Sequence, residues 1–181
     1  MIFVSAGHHQ KQTGASYDGF TEFDEAVVWR ELITERLPQD ISMPVPLGFL
    51  KDKVNYINQR DPSRSIAVEI HFNSAADPDG NRIGKGCETL HYPNSEDGIA
   101  LASIVQLAMA ELIQPDRGIK AGYYRMDPEN GVDFFLERTR CPAIIIEPEF
   151  IHRKSIIKEK RGAVCNRIAL ALVEAHNLLR A

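Results

Sequence analysis

Side chains that could bind a metal follow three strand-like apolar segments of this chain. Ile2–Ala6 leads through a glycine into His8. The segment 66–70 leads directly into His71, and three consecutive isoleucines lead into Glu147. In an α/β sheet, ligands bind outside the carboxyl ends of the strands. Two histidines and an acid brought to one edge of a sheet therefore predict a metal-dependent hydrolytic site.

A catalytic zinc ion usually has three protein ligands and leaves a fourth position to water. His8 and His71 would supply two of these ligands. The polar loop after His8 offers acids for the third position, and spacing alone leaves the choice open between Asp18, Glu22 and Glu25. Glu22 begins a predicted helix, which would give its side chain a rigid base.

His9 competes with His8 for the metal. Neighbouring residues of an extended chain point to opposite sides, so we expect only one of the two to face the ion. We favour His8 because it follows Gly7, which lets the backbone approach closely. The remaining histidines are interpreted as structural or surface residues: His91, His152 and His176.

Glu147 is the candidate for proton transfer. A carboxylate at the end of so apolar a run is expected to be partly desolvated. Desolvation raises the pKa of a carboxyl group toward the value that a general base needs.

The elements that would position these residues alternate between strand and helix patterns. Predicted strands lie at 2–6, 41–45, 65–71, 87–92 and 142–146, and predicted helices at 22–37, 50–58, 95–113 and 155–179. The short segment 134–136 is predicted as a strand or a turn. This alternation predicts a single α/β domain with a central twisted sheet, mixed but mainly parallel, flanked by helices.

Composition argues against several classes of function. The chain has 21 Lys and Arg residues against 25 Asp and Glu residues, without a long run of either sign. Nucleic acid is therefore not expected as a partner, since phosphate binding needs a basic surface. No apolar run approaches the ~20 residues that span a bilayer, so we expect no membrane insertion. Three cysteines without metal-binding spacing are interpreted as ordinary thiols: Cys87, Cys141 and Cys165.

Several short segments resemble, in order, the zinc-dependent N-acetylmuramoyl-L-alanine amidases of the amidase-3 type. They are SAGH at 5–8, GA at 14–15, GFTE at 19–22, IHFNSA at 70–75, GCET at 86–89, RGIK at 117–120, FLER at 135–138 and PAIIIE at 142–147. Each match is short, but together they cover most of the chain in the family's order.

The resemblance implies a site and a substrate. A zinc ion (Zn2+) would be bound by His8, Glu22 and His71, with Glu147 as the catalytic acid and base. The substrate would be peptidoglycan, cut at the amide that joins N-acetylmuramic acid to L-alanine of the stem peptide.

Two further features of the resemblance concern the surroundings of the site. Arg117 and Lys120 would meet carboxylates of the stem peptide, although a solvated basic turn is an equally good interpretation. The family commonly has a glycine shortly after the catalytic glutamate, where this chain has Pro148 and Glu149. Glu149 is therefore a rival for the role of the base.

We also expect one catalytic domain over residues 1–181, a monomer without a cell-wall-binding module. The first residues lack the pattern of a signal peptide, so we expect synthesis in the cytoplasm and action at the cell wall. A single-domain phage endolysin released by a holin would fit, as would a bacterial amidase or its excised domain. Two other functions stay open: a zinc peptidase or carboxypeptidase that cuts within the stem peptide, and a non-catalytic wall-binding domain.

Overall fold

The computed structural model describes residues 1–124 and 128–179 of the protein. Its strands, in chain order, are β1 (Ile2–Ala6), β2 (Ser16–Tyr17), β3 (Phe20–Thr21), β4 (Ser42–Pro44), β5 (Ile66–Ile70), β6 (Ala75–Ala76), β7 (Arg82–Ile83), β8 (Cys87–His91), β9 (Asp116–Ala121) and β10 (Ala143–Glu147). Its α-helices are α1 (Glu22–Arg36), α2 (Leu50–Asn58), α3 (Glu96–Ala110), α4 (Phe134–Arg138) and α5 (Lys154–Leu178).

Six strands form the central sheet in the order β4-β1-β5-β10-β8-β9. Strands β4, β1, β5 and β10 run parallel to one another, while β8 is antiparallel to β10 and β9 is parallel to β8. The prediction of one α/β domain with a mixed, mainly parallel sheet is confirmed. Strands buried on both faces need continuous apolar runs, which explains the sequence of β1, β5 and β10.

Helices cover both faces of this sheet. One face packs against α1, α3 and α5, and its core includes Val4, Trp29 and Leu172. The other face packs against α2 and α4, through residues such as Phe3 and Val54. Neighbouring residues of β1 thus face opposite layers, as the alternation of side chains along a strand requires. None of the described helices is both long and apolar enough to cross a membrane.

Helix α1 begins where the sequence predicted, because Thr21 caps it. The Thr21 hydroxyl accepts a hydrogen bond from the backbone N–H of Asp24 at 3.2 Å. Acidic residues in the first turn, Glu22 among them, are favoured there by the helix dipole. The cap therefore fixes Glu22 at the very start of a rigid helix.

Two segments differ from the predictions. The segment 134–136 belongs to the short helix α4, since Asp133 caps it by accepting from the N–H of Phe135 at 2.8 Å. Arg117 and Lys120 lie on the edge strand β9, which replaces the basic turn we considered. This strand was missed because it is polar and partly exposed, so it has no apolar run to mark it. The three cysteines are buried free thiols.

Candidate metal centre

The carboxyl ends of β1, β5 and β10 lie side by side. Ala6, the last residue of β1, pairs with Ile70 of β5, and Ile70 pairs with Ile146 of β10. His71 directly follows β5, and Glu147 is the last residue of β10. The prediction that these strand ends share one edge of the sheet is confirmed.

His8, Glu22 and His71 meet at this edge, with one potential ligand atom from each lying within 4.8 Å of the others. Glu22 Oε1 is 3.0 Å from His8 Nε2 and 2.9 Å from His71 Nδ1. Two imidazole nitrogens and a carboxylate oxygen form a donor set that zinc takes in catalytic sites. His9 turns elsewhere, with its ring 4.6 Å from that of Phe49.

The other two acids offered by the loop lie elsewhere. Asp18 is exposed and pairs with Lys154. Glu25 is buried on the side of α1 that faces α5, where it accepts from Trp29 Nε1 at 2.9 Å and from Arg161 at 3.1 Å. Of the three acids, the structure brings only the first residue of α1 to the two histidines.

The Glu22 carboxylate is fully hydrogen-bonded. Besides the histidines, it accepts from the backbone N–H groups of Phe72 at 3.1 Å and Ala15 at 2.9 Å. Burial raises the pKa of Glu22, but hydrogen bonds from His71 and His8 outweigh this effect and hold the pKa well below its ordinary value. The carboxylate therefore stays charged, as a metal ligand must.

Two glycines leave the room that the ligands occupy. A Cβ atom on Gly14 would lie 2.4 Å from His8 Nε2 and 2.5 Å from Glu22 Oε2, and one on Gly7 would lie 2.6 Å from His71 Nε2. Gly14 also has a φ of +71°, which disfavours other residues. The backbone is thus shaped around the two imidazole rings and the carboxylate, and the residues present fit a zinc ion.

Glu147 borders a cavity of about 210 Å³ beside the metal ligands. The lining residues are His71, Leu90, Tyr123, Tyr124, Asp133, Ile145 and Glu147. Among the residues that the structure describes, none forms a hydrogen bond with Glu147 Oε2. Burial raises the pKa of Glu147 to about 8. This side chain can therefore take up and release a proton near neutral pH.

The sequence matches the amidase-3 family of N-acetylmuramoyl-L-alanine amidases over residues 2–171. The chain belongs to this family. A comparison with curated protein sequences gives no match.

Several solved structures have the same fold as this chain. Cwp6 from Clostridium difficile has a TM-score of 0.78 at 22% identity, over 96% of this chain and 29% of Cwp6. An N-acetylmuramoyl-L-alanine amidase from C. difficile 630 has a TM-score of 0.71 at 24% identity, over 96% and 92% of the two chains. AmiC2 of Nostoc punctiforme has a TM-score of 0.76 at 20% identity, over 96% of both chains. At these identities the likeness shows a shared fold, and this chain spans less than a third of Cwp6.

In this member of the amidase family, Arg117 and Lys120 share one buried carboxylate. Glu88 Oε2 lies 3.0 Å from Arg117 and also contacts Lys120, while Glu88 Oε1 accepts from Asn73 at 2.7 Å. Glu88 is the register partner of Glu147 in the neighbouring strand. Two cations against one anion leave a net positive charge beside Glu147.

Glu149, the rival base, is 1% exposed and engaged elsewhere. Its Oε1 accepts from the backbone N–H groups of Gly86 and Phe150, each at 2.9 Å. Arg153 lies 3.1 Å from its other oxygen. These contacts give Glu149 a structural role in the loop that follows β10.

Another buried carboxylate lies behind His71 and was missed by sequence reasoning. Glu69 Oε2 is 3.2 Å from His71 Nε2, and Glu69 Oε1 contacts Ser5 Oγ at 2.9 Å and Lys53 Nζ at 3.2 Å. Burial lowers the pKa of His71, but Glu22 and Glu69 outweigh it and raise the pKa well above its ordinary value. The sequence did contain a signal for this residue, because Glu69 lies inside the apolar strand β5. A buried charged side chain needs a partner, so its position predicts a contact with another polar group.

Proposed function

We propose that this protein is a zinc-dependent N-acetylmuramoyl-L-alanine amidase, which hydrolyses the amide between N-acetylmuramic acid and L-alanine in peptidoglycan. Its family membership supports the choice of bond. One observation carries the proposal: His71 of the metal cluster lines the same cavity as Glu147, whose Oε2 has no hydrogen-bond partner among the described residues. A proton-transferring group thus stands beside a Lewis-acid site.

Proton transfer falls to Glu147. A zinc ion held by His8, Glu22 and His71 would polarise the amide carbonyl and lower the pKa of water. Glu147 takes a proton from the attacking water as the new carbon–oxygen bond forms. It then gives this proton to the amide nitrogen as the carbon–nitrogen bond breaks, so the stem peptide leaves with a free L-alanine amino group.

The environment of Glu147 suits both halves of this task. A group that accepts and then returns a proton works best when its pKa lies near the working pH. Burial raises the pKa of Glu147 to about 8, while the charge of His71 opposes the rise. Addition of a cation at the metal site would lower it further toward neutrality, because an opposite charge favours the carboxylate.

The cations near Glu147 suggest where the peptide lies. Arg117 and Lys120, on β9, both contact Glu88, which is the register partner of Glu147, and together they exceed its charge by one. We assign them to the carboxylates of the stem peptide. The uncharged glycan then extends to the other side of the metal centre.

Mass spectrometry of digested peptidoglycan tests the proposed reaction. The amidase should release stem peptides with new L-alanine amino termini and no new reducing sugar ends, since zinc hydrolases cut amides while glycosidases use a carboxylate pair. Chelation should stop the release and added zinc should restore it. Cleavage within the stem peptide would identify a peptidase or carboxypeptidase instead. Binding to the wall without any product would identify a wall-binding domain.

We also propose that the protein acts at the cell wall as a monomer, in the manner of an endolysin. Co-expression with a pore-forming holin should lyse bacteria, and the Glu147→Gln variant should not. Equal lysis by the wild type and the variant would contradict endolysin-like action at the cell wall. Light scattering after size exclusion should give the mass of one chain.

A further inference from the structure

We propose that Glu69 and Lys53 form a buried ion pair that positions both histidines of the metal centre. This inference rests on the proposed function, because it assigns a role toward the zinc ion. Each residue is 2% exposed, and their charged atoms lie 3.2 Å apart. The pair lies between β1, β5 and α2, directly beneath the ligands.

Glu69 fixes the ring of His71. The two ring nitrogens have different partners: Nδ1 is 2.9 Å from Glu22 Oε1, and Nε2 is 3.2 Å from Glu69 Oε2. A metal bound at Nδ1 needs the ring proton on Nε2, and the Glu69 carboxylate accepts a hydrogen bond from that N–H. A carboxylate behind a histidine ligand thereby sets its tautomer and orientation and raises its basicity.

Lys53 holds the backbone of His8. Its ammonium group donates to the carbonyl of His8 at 2.9 Å and also to the carbonyl of Ala6. His8 has a φ of 58°, in the left-handed region that residues other than glycine rarely adopt. Such a backbone persists only where its surroundings hold it. The contact from Lys53 therefore stabilises the conformation that turns the His8 ring to Glu22.

The hydrogen-bonding groups of both side chains in the pair have partners. The ammonium group of Lys53 has three protons and three acceptors, namely the carbonyls of Ala6 and His8 and the carboxylate of Glu69. Glu69 in turn accepts from Ser5. A buried pair stabilises a fold weakly at best, because desolvation offsets the attraction. Its contacts with both histidine ligands indicate a role in the site.

A second buried carboxylate offers a matched control. Glu25 is 3% exposed and pairs with Arg161 and Trp29 on the far side of α1, away from the ligand atoms. Glu25→Gln removes a buried charge as Glu69→Gln does, but from a site between helices. Any difference in zinc binding between the two variants therefore reports on the contact with His71.

Zinc affinity, measured by competition with a chelator, tests the inference without any use of activity. We expect Glu69→Gln to bind zinc about 10- to 100-fold more weakly than the wild type, the usual effect of losing such a partner. Glu25→Gln should stay within about threefold, because its carboxylate touches no ligand. The double variant Lys53→Met/Glu69→Gln removes both charges at once, so it avoids leaving one charge buried alone. It should show at least the loss of the single variant.

Nitrogen NMR of the zinc-loaded wild type gives a second readout. It needs no substitution, so the misfolding of a variant cannot affect it. His71 should carry its proton on Nε2 and its metal on Nδ1. Wild-type zinc affinity in the double variant, or a metal on Nε2 of His71, would overturn the positioning role. Failure of the wild type to bind zinc at all would instead contradict the proposed function.

Discussion

Glu22 and Glu147 are two carboxyl groups at the same edge of the sheet in opposite environments. Glu22 accepts hydrogen bonds from two backbone N–H groups and faces two imidazole rings. Glu147 has an oxygen without a hydrogen-bond partner among the described residues. As a result, the pKa of Glu22 lies well below its ordinary value, whereas burial raises the pKa of Glu147 to about 8.

This difference shows how one edge of a sheet can supply two functions from the same residue type. Where surroundings push the pKa values of two acids apart, the pair can divide the roles of charged group and proton carrier. Glu22 remains ionised and suits a cation. Glu147 exchanges a proton and suits the hydrolytic step.

The largest expected effect follows from Glu22→Gln. The variant keeps the shape of the side chain but removes the charge between the two histidines, so zinc occupancy should fall close to zero. Turnover should drop by more than about 10³-fold, because the contribution of a metal to such a reaction is several kcal/mol. Elemental analysis and assays on peptidoglycan measure both quantities. A variant with full zinc content would show that Glu22 is not a ligand.

A smaller effect is expected from Gly14→Ala, with Gly19→Ala as its control. Both glycines have a φ of +71°, so each alanine should cost about 1–2 kcal/mol of stability. Only the new Cβ at position 14 would meet His8 and Glu22, whereas at position 19 it meets no atom within 4 Å. Zinc affinity should therefore fall about tenfold or more in the first variant alone. Equal affinities in the two variants would contradict this close packing.

The Glu147 side of the comparison predicts a pH effect on stability. Its pKa rises from 4.5 to about 8 on folding, so the native state binds more protons than the unfolded state between these values. The free energy of unfolding of chelator-treated protein should therefore decrease as pH rises through this window. Relative to Glu147→Gln, the decrease in the free energy of unfolding should be on the order of 4 kcal/mol between about pH 5 and about pH 9. Urea denaturation curves measure this free energy. If it changed with pH in the same way in the wild type and in Glu147→Gln, the raised pKa of Glu147 would be excluded.

The smallest effect on turnover is expected from Glu149→Gln. Its carboxylate binds the backbone of Gly86 and of Phe150, so the variant should lose about 1–2 kcal/mol of stability. Turnover per folded molecule should stay within about twofold, since a general base contributes 10²-fold or more. A loss on that larger scale would give Glu149 a share in catalysis.

Much of this arrangement could be predicted from local sequence. The buried strands are continuous apolar runs, and helix α1 carries its cap in the sequence, so the edge where His8, His71 and Glu147 meet followed from rules of pattern. The family resemblance then singled out Glu22 among three acids. In the structure its place depends on the turn that starts α1 and on backbone groups of distant loops.

Other parts of the molecule had no local signal. Lys53 lies on α2, a mostly polar helix in which a lysine would be expected to face solvent. The packing of α2 against the loop after β1 buries its charge instead. Strand β9 is stabilised by pairing with β8 at the sheet edge, which no property of its polar residues reveals. Contacts between residues far apart in sequence decided both outcomes.

The division of roles between Glu22 and Glu147 is tested most directly by measuring zinc content and turnover together in Glu147→Gln. The variant keeps the size of the side chain but cannot accept a proton. We expect one zinc per chain, as in the wild type, with turnover lower by about 10²-fold or more. Loss of the metal would make Glu147 a ligand, and undiminished turnover would assign the proton transfer to another group. Either result would contradict the division of roles between Glu22 and Glu147.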